Sequence, residues 1–125
     1  MPGLVDLSEK KILIVEDDDM NYIYLAQIFK LTKGHITRAK NGKTALQLAL
    51  DESFDIILMD IKLPDINGIE ITRRIRQFNV YTPIIAQTAS RAPDETDEAL
   101  EAGCTAVLIK PFTINEFSQL MSKFI

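Results

Sequence analysis

The sequence is poor in the residues that most often carry redox and soft-metal chemistry. Cys104 is its single cysteine, so an intramolecular disulfide is unavailable and a thiolate-ligated metal site has no support. That usage fits a reducing, intracellular setting, and a cytoplasmic location is the expectation. His35 is the single histidine, which leaves little support for a histidine-based triad or a His-rich metal centre. It reads as a surface or strand-start residue. No run of Lys or Arg appears and the formal net charge is −4, so the basic footprint of a nucleic-acid binder is missing. No apolar run approaches the length of a membrane span, and the N-terminus lacks a signal-peptide pattern. Membrane insertion is therefore not expected.

What remains is an ordinary globular composition, 46% apolar and 26% charged over 125 residues, enough for one domain with one well-formed core. Residues 1–10 read as a short leader and 11–125 as a single domain. Within that domain short apolar runs alternate with amphipathic stretches. Strands are expected at 11–15, 35–39, 55–59, 83–88 and 106–109. Helices are expected from Asp18 or Asp19 to about Leu31, over 43–50, over 68–78, from Pro93 to the stop at Gly103, and after Thr113. Gly34 reads as the stop of the first helix, and Thr113 with Glu116 forms a capping box for the last. On the third helix Ile71, Ile75 and Phe78 share one face. Met121 and Phe124 on the last helix fit either core or an exposed face. Apolar strands separated by helices imply a parallel sheet covered on both sides, an α/β doubly wound fold.

The informative polar residues fall at strand ends. Glu16 and Asp17 follow the first strand, Asp60 ends the third, Thr88 ends the fourth and Lys110 follows the fifth. In an open parallel sheet the carboxyl edge is where ligands bind. Clustered carboxylates repel unless a cation joins them. Hard oxygens without His or Cys suit Mg²⁺, Mn²⁺ or Ca²⁺ rather than Zn²⁺. Lys110 could meet phosphoryl oxygens as a point charge and Thr88 as a hydroxyl donor. A carboxylate can also act as a nucleophile and form an aspartyl-phosphate. Singly, each residue has a plainer reading. Acids at strand ends cap helices, as Asp18 or Asp19 does here, Asp60 could sit in a turn, and Thr88 and Lys110 could be structural and solvated. Joint delivery from four strand ends favours the phosphoryl-transfer reading.

At these residues the chain resembles the receiver domain of two-component response regulators and hybrid histidine kinases. The matching stretches are Ile12-Leu13-Ile14-Val15-Glu16-Asp17-Asp18, the run from Met59 to Glu70, Pro83-Ile84-Ile85-Ala86-Gln87-Thr88-Ala89, and Lys110-Pro111-Phe112. The resemblance covers about 11–125. It implies a flavodoxin-like (βα)5 fold with strand order 2-1-3-4-5. It further implies that Asp60 is the phosphoacceptor, receiving a phosphoryl group from a phosphohistidine. Mg²⁺, with Mn²⁺ as a substitute, would be held by Glu16, Asp17, Asp60 and the backbone carbonyl of Lys62. Thr88 would be the switch hydroxyl, Lys110 would pair with the phosphoryl group, and the Lys110–Pro111 bond would be cis. The partners implied are a sensor histidine kinase or histidine phosphotransfer protein, and a downstream partner on the face of helix four, strand five and helix five. A weak homodimer stays open. Such a domain is a signalling module that takes part in its own phosphorylation and dephosphorylation, not an enzyme in the usual sense. One position departs from the family: Val107 stands where an aromatic is usual, so the customary ring rotation coupled to the switch threonine cannot occur.

Other readings have less support. Asn41-Gly42-Lys43-Thr44 sits between a strand and a helix, but a P-loop needs glycine where Thr37 stands, so it reads as a turn and helix start. A dehalogenase-like Mg²⁺-dependent phosphohydrolase would want a second Asp where Lys62 is. A flavodoxin-type FMN carrier would not place acids at its phosphate loop. An interaction-only receiver, folded but never phosphorylated, has Val107 in its favour. Cys104 reads as packed, and the Glu98/Glu101 pair as a solvated face.

Overall fold

Runs such as Ile12-Leu13-Ile14-Val15 and Ile56-Ile57-Leu58-Met59 are apolar on both pleat faces, so they are stable only with cover on both sides. The computed structural model, which describes residues 4–125, has that arrangement. In chain order its elements are β1 (Lys11–Val15), α1 (Asp19–Thr32), β2 (His35–Ala39), α2 (Gly42–Asp51), β3 (Ile56–Asp60), α3 (Gly68–Arg76), β4 (Ile84–Thr88), α4 (Pro93–Ala102), β5 (Ala106–Ile109) and α5 (Ile114–Phe124). All strand pairs are parallel and the sheet order is β2-β1-β3-β4-β5. This is the doubly wound (βα)5 fold the sequence led us to expect.

Two apolar clusters flank the sheet. One joins Leu13, Val15, Ile57 and Met59 to Ala45 and Ala49 of α2, Ile71 and Ile75 of α3, and Ala99 of α4. The other joins Ile12, Ile14, Ile56 and Leu58 to Leu25, Ile28 and Phe29 of α1 and Phe117 and Met121 of α5. Met121 is therefore core, and Phe124 packs at its margin. Cys104 is buried, with its sulfur 3.7 Å from the Thr72 hydroxyl. His35 is exposed at the start of β2 and meets the Ser8 carbonyl. Among the described residues no helix is long and apolar enough to cross a membrane.

Some local details differ from expectation. Helix α3 stops at Arg76, and Phe78 lies beyond it with 43% of its surface exposed. The ladder tightens there, with Gln77 and Phe78 donating to carbonyls three residues back, while Arg76 ties off to the carbonyls of Gly103 and Asn79. No glycine or proline marks that stop. Helix α1 ends with Lys33, not Gly34, in the left-handed conformation (φ 68°). Gly34 is needed for closeness instead, because a Cβ there would lie 2.8 Å from Ile12 Cδ1. Of the leader expected over residues 1–10, residues 1–3 lie outside the described part. Further along it the Val5 amide donates to Ser118 Oγ, the Leu7 amide donates to the Thr32 carbonyl, and the Leu7 side chain is buried with α1 and α5.

Candidate functional site

A parallel sheet brings all strand carboxyl ends to one edge, and the alternation of side chains decides which face each residue takes. Ile12 and Ile14 face the α1–α5 layer, so Glu16, next in that alternation, faces it as well. Asp60 follows Ile56 and Leu58 in the same way, and Lys110 follows Ala106 and Leu108. The three side chains meet. Lys110 Nζ lies 3.1 Å from Glu16 Oε1 and 3.7 Å from Asp60 Oδ2. Asp17 completes the cluster, since one carboxylate oxygen each from Glu16, Asp17 and Asp60 lies within 4.8 Å of the others. Glu16 is fully buried, Asp60 is 6% exposed and Asp17 is open to solvent. A crevice lined by these residues with Lys62, Thr88 and Ala89 opens beside them.

Crowding of acids dominates the electrostatics. Burial, reinforced by the neighbouring Glu16 carboxylate, pushes the Asp60 carboxyl up to about 7, against the pull of the Lys110 ammonium and the Lys62 amide. That amide donates to Asp60 Oδ1 at 3.2 Å. One ammonium does not balance three clustered carboxylates, so the site is short of positive charge. The donor set is all hard oxygen, with no His or Cys in it. It therefore fits a hard divalent cation, for which Glu16, Asp17 and Asp60 are the available side-chain ligands.

The loops holding these groups are pinned. Asp18 caps α1 through the Asn21 amide (2.9 Å), and its own amide reaches Glu16 Oε2 (3.3 Å). Arg38 of β2 donates to the carbonyls of Glu16 and Asp17, pairs with Asp19 at 2.9 Å, and lies 4.3 Å over the Tyr22 ring. Behind Asp60, Gly68 passes so close that a Cβ would sit 2.1 Å from the Asp60 carbonyl oxygen. The Lys110–Pro111 peptide is cis.

Thr88 takes the opposite face. It lines the crevice, but its hydroxyl donates to Glu95 of α4 and accepts from the Ser90 amide at 2.9 Å. Val107 is half-buried against the cluster shared by α2, α3 and α4. The P-loop look-alike is closed by an acid: the Asp65 carboxylate accepts from the amides of Gly42 (2.8 Å) and Lys43 (3.0 Å). Those bonds hold Asp65 below the usual carboxylate range, and they fill the place a phosphate would need.

Four contributors were not legible in the sequence. Arg38 and Asp65 act across elements distant in the chain, and no local pattern links Arg38 to the carbonyls it grips or Asp65 to the amides it caps. Glu95 resembles any solvated acid of a helix first turn. Gln87 pairs in register with Asp60 across β3 and β4, yet its amide is fully buried with no hydrogen-bond partner for Nε2 or Oε1 among the described residues. Its one signal was a polar residue inside an otherwise apolar strand.

Comparison with known proteins shows the family. The model of the response regulator receiver domain family matches residues 12–122, and the chain belongs to that family. It is 39% identical over 91% of its length to the autoinducer 2 sensor kinase/phosphatase LuxQ of Vibrio parahaemolyticus, of which it spans only 13%. It is 30% identical to the polar-differentiation response regulator DivK of Brucella anthropi, with 93% of this chain and 96% of that one aligned. Among solved structures it is similar to the receiver domain of a sensor histidine kinase from Pseudomonas aeruginosa, at 31% identity and a TM-score of 0.86, covering 92% of this chain and 96% of that one. That structure carries a magnesium ion coordinated in its active site cleft.

Proposed function

We propose that the chain is a phosphorylation switch in which Asp60 accepts a phosphoryl group from a phosphohistidine on a sensor kinase or histidine phosphotransfer protein. The observation that carries this reading is the convergence of Glu16, Asp17 and Asp60 within 4.8 Å, with Lys110 Nζ reaching two of the three. A carboxylate oxygen of Asp60 attacks the phosphorus, the new O–P bond forms as the P–N bond breaks, and the imidazole leaves with the bonding pair. Phosphoryl transfer of this kind asks mainly for alignment and charge neutralisation. Lys110 supplies a fixed cation beside Asp60, and the Lys62 amide orients the nucleophile through Oδ1. Glu16, Asp17, Asp60 and the Lys62 carbonyl would hold Mg²⁺ (or Mn²⁺), which would supply the positive charge that these acids and the incoming phosphoryl oxygens call for.

Thr88 then turns its hydroxyl toward the phosphoryl group. The β4–α4 and β5–α5 connections rearrange, and the α4–β5–α5 face changes its affinity for a downstream partner. The domain works in the cytoplasm, where kinase and target are reached, without inserting into a membrane or binding nucleic acid itself. A second reading, an interaction-only receiver, is favoured by Val107, which removes the customary aromatic readout.

The test is incubation with phosphoramidate and Mg²⁺, followed by intact mass. The switch reading expects one hydroxylamine-labile phosphoryl adduct that is lost on chelation and in Asp60→Asn. No adduct from either phosphoramidate or a phosphorylated kinase would select the interaction-only reading. Repeated turnover of a generic phosphoester would select a phosphohydrolase.

A further inference from the structure

A threonine hydroxyl has one proton to give, and in this structure Thr88 gives it to Glu95. Oγ1 donates to Glu95 Oε1 while accepting from the Ser90 amide at 2.9 Å. Thr88 is 4% exposed and Glu95 is half-buried, so this bond is only partly open to water. Glu95 lies in the first turn of α4, where an acid is favoured by the helix dipole. The N-cap there, Ala92, has no side chain to cap the free amides. No salt bridge among the described residues involves Glu95. Its assigned side-chain contact is thus Thr88, and that contact joins the end of β4 to the start of α4.

The function proposed above asks Thr88 to donate to a phosphoryl oxygen on Asp60. Donation to Glu95 and donation to that oxygen are mutually exclusive. Both acceptors are anionic, so both bonds are charge-assisted and of comparable strength. We propose that Glu95 is a positioning residue that holds Thr88 in the unphosphorylated arrangement, and that a phosphoryl group on Asp60 frees the first turn of α4 by accepting the Thr88 hydrogen bond in its place. This rests on the phosphoacceptor reading. It also supplies a route to the α4 face that does not need an aromatic at Val107. The signal passes from the sheet edge into α4 through one exchanged hydrogen bond.

The exchange makes Glu95 a competitor of the phosphoryl group, and affinity for a phosphoryl mimic measures that competition. The full chain is titrated with fluoroberyllate in excess Mg²⁺, with the bound fraction read from ¹H–¹⁵N NMR spectra. Glu95→Ala is expected to bind roughly tenfold more tightly, the effect of removing one competing hydrogen bond to a charged acceptor. Glu95→Gln, which keeps a weaker acceptor, should fall between. In a Thr88→Val background the gain from Glu95→Ala should vanish, because no proton is left to compete for. A gain that persists in Thr88→Val would mean that only a nearby negative charge had been removed, and would overturn the proposal. Unchanged or weaker binding in both Glu95→Ala and Glu95→Gln would overturn it too. Absence of fluoroberyllate binding in every protein, the unsubstituted chain included, would instead take down the phosphoacceptor reading and this inference with it. Thermal unfolding of each variant checks that it is folded; the Glu95→Gln arm carries the test if Glu95→Ala is not.

Discussion

Replacing Asp60 should make the metal-free protein more stable. Asp60 is forced to share a buried edge with Glu16, which raises its carboxyl from the ordinary 3.8 to about 7. A group whose folded-state value is raised favours its protonated form when folded. Its contribution to stability is complete below the unfolded value and is lost as pH rises through the folded one. Here the loss begins near 3.8 and is complete just above 7. Taken at face value, at about 1.4 kcal/mol for each tenfold change in proton affinity, the penalty would reach roughly 4 kcal/mol. Solvent on the open side of the crevice screens it, so we expect Asp60→Asn to gain about 1–2 kcal/mol at roughly pH 8. The gain should shrink toward about pH 5, where the folded carboxyl is protonated. Urea unfolding in a chelator at both pH values reads it directly. Excess Mg²⁺ should then stabilise the unsubstituted chain more than the variant and narrow the gap. A variant no more stable at the higher pH, or one with an equal gain at both, would refute the electrostatic reasoning.

Other sites make separate demands. Gln87→Met replaces a buried amide without a hydrogen-bond partner among the described residues by an apolar chain of similar shape, and should raise unfolding free energy by about 1–2 kcal/mol in denaturant titration. Gly68→Ala would place a Cβ 2.1 Å from the Asp60 carbonyl oxygen. The backbone must shift to relieve that contact, so a loss of about 3 kcal/mol or more is expected, together with weaker Mg²⁺ binding. Asp65→Ala leaves the Gly42 and Lys43 amides without their acceptor and should lower the melting temperature. Because Asp65 sits below the usual carboxylate range, its contribution is present above the unfolded value and is lost as pH falls through the folded one. The deficit of Asp65→Ala should therefore shrink in acid.

Strand runs that are apolar on both faces can be read directly from the chain, and so can the polar residues at their ends, because the parallel sheet imposes both patterns. That is why Glu16, Asp60, Thr88 and Lys110 are legible together in the sequence. Contacts between distant segments could not. Nothing near Arg38 announces that it grips the carbonyls after β1, and Asp65 lies far along the chain from the amides it caps. The end of α3 was misplaced because it is set by Arg76 reaching Gly103 and Asn79, with no glycine or proline to mark it. Lys33, and not the neighbouring glycine, takes the left-handed turn, and its residue type does not announce it. Thr88 was legible as a crevice residue, but its engagement with Glu95 depends on how α4 docks, which local sequence does not encode.

Conversion of Asp60 to an acyl phosphate can be read chemically. Borohydride reduces an aspartyl-phosphate to homoserine, leaving a permanent mark at the modified residue. The chain is treated with phosphoramidate and Mg²⁺, reduced, digested and mapped by tandem mass spectrometry. Homoserine is expected at position 60 alone, and none when Mg²⁺ or the donor is omitted. Homoserine at another acid, or none at all under conditions that phosphorylate an established receiver domain, would contradict it.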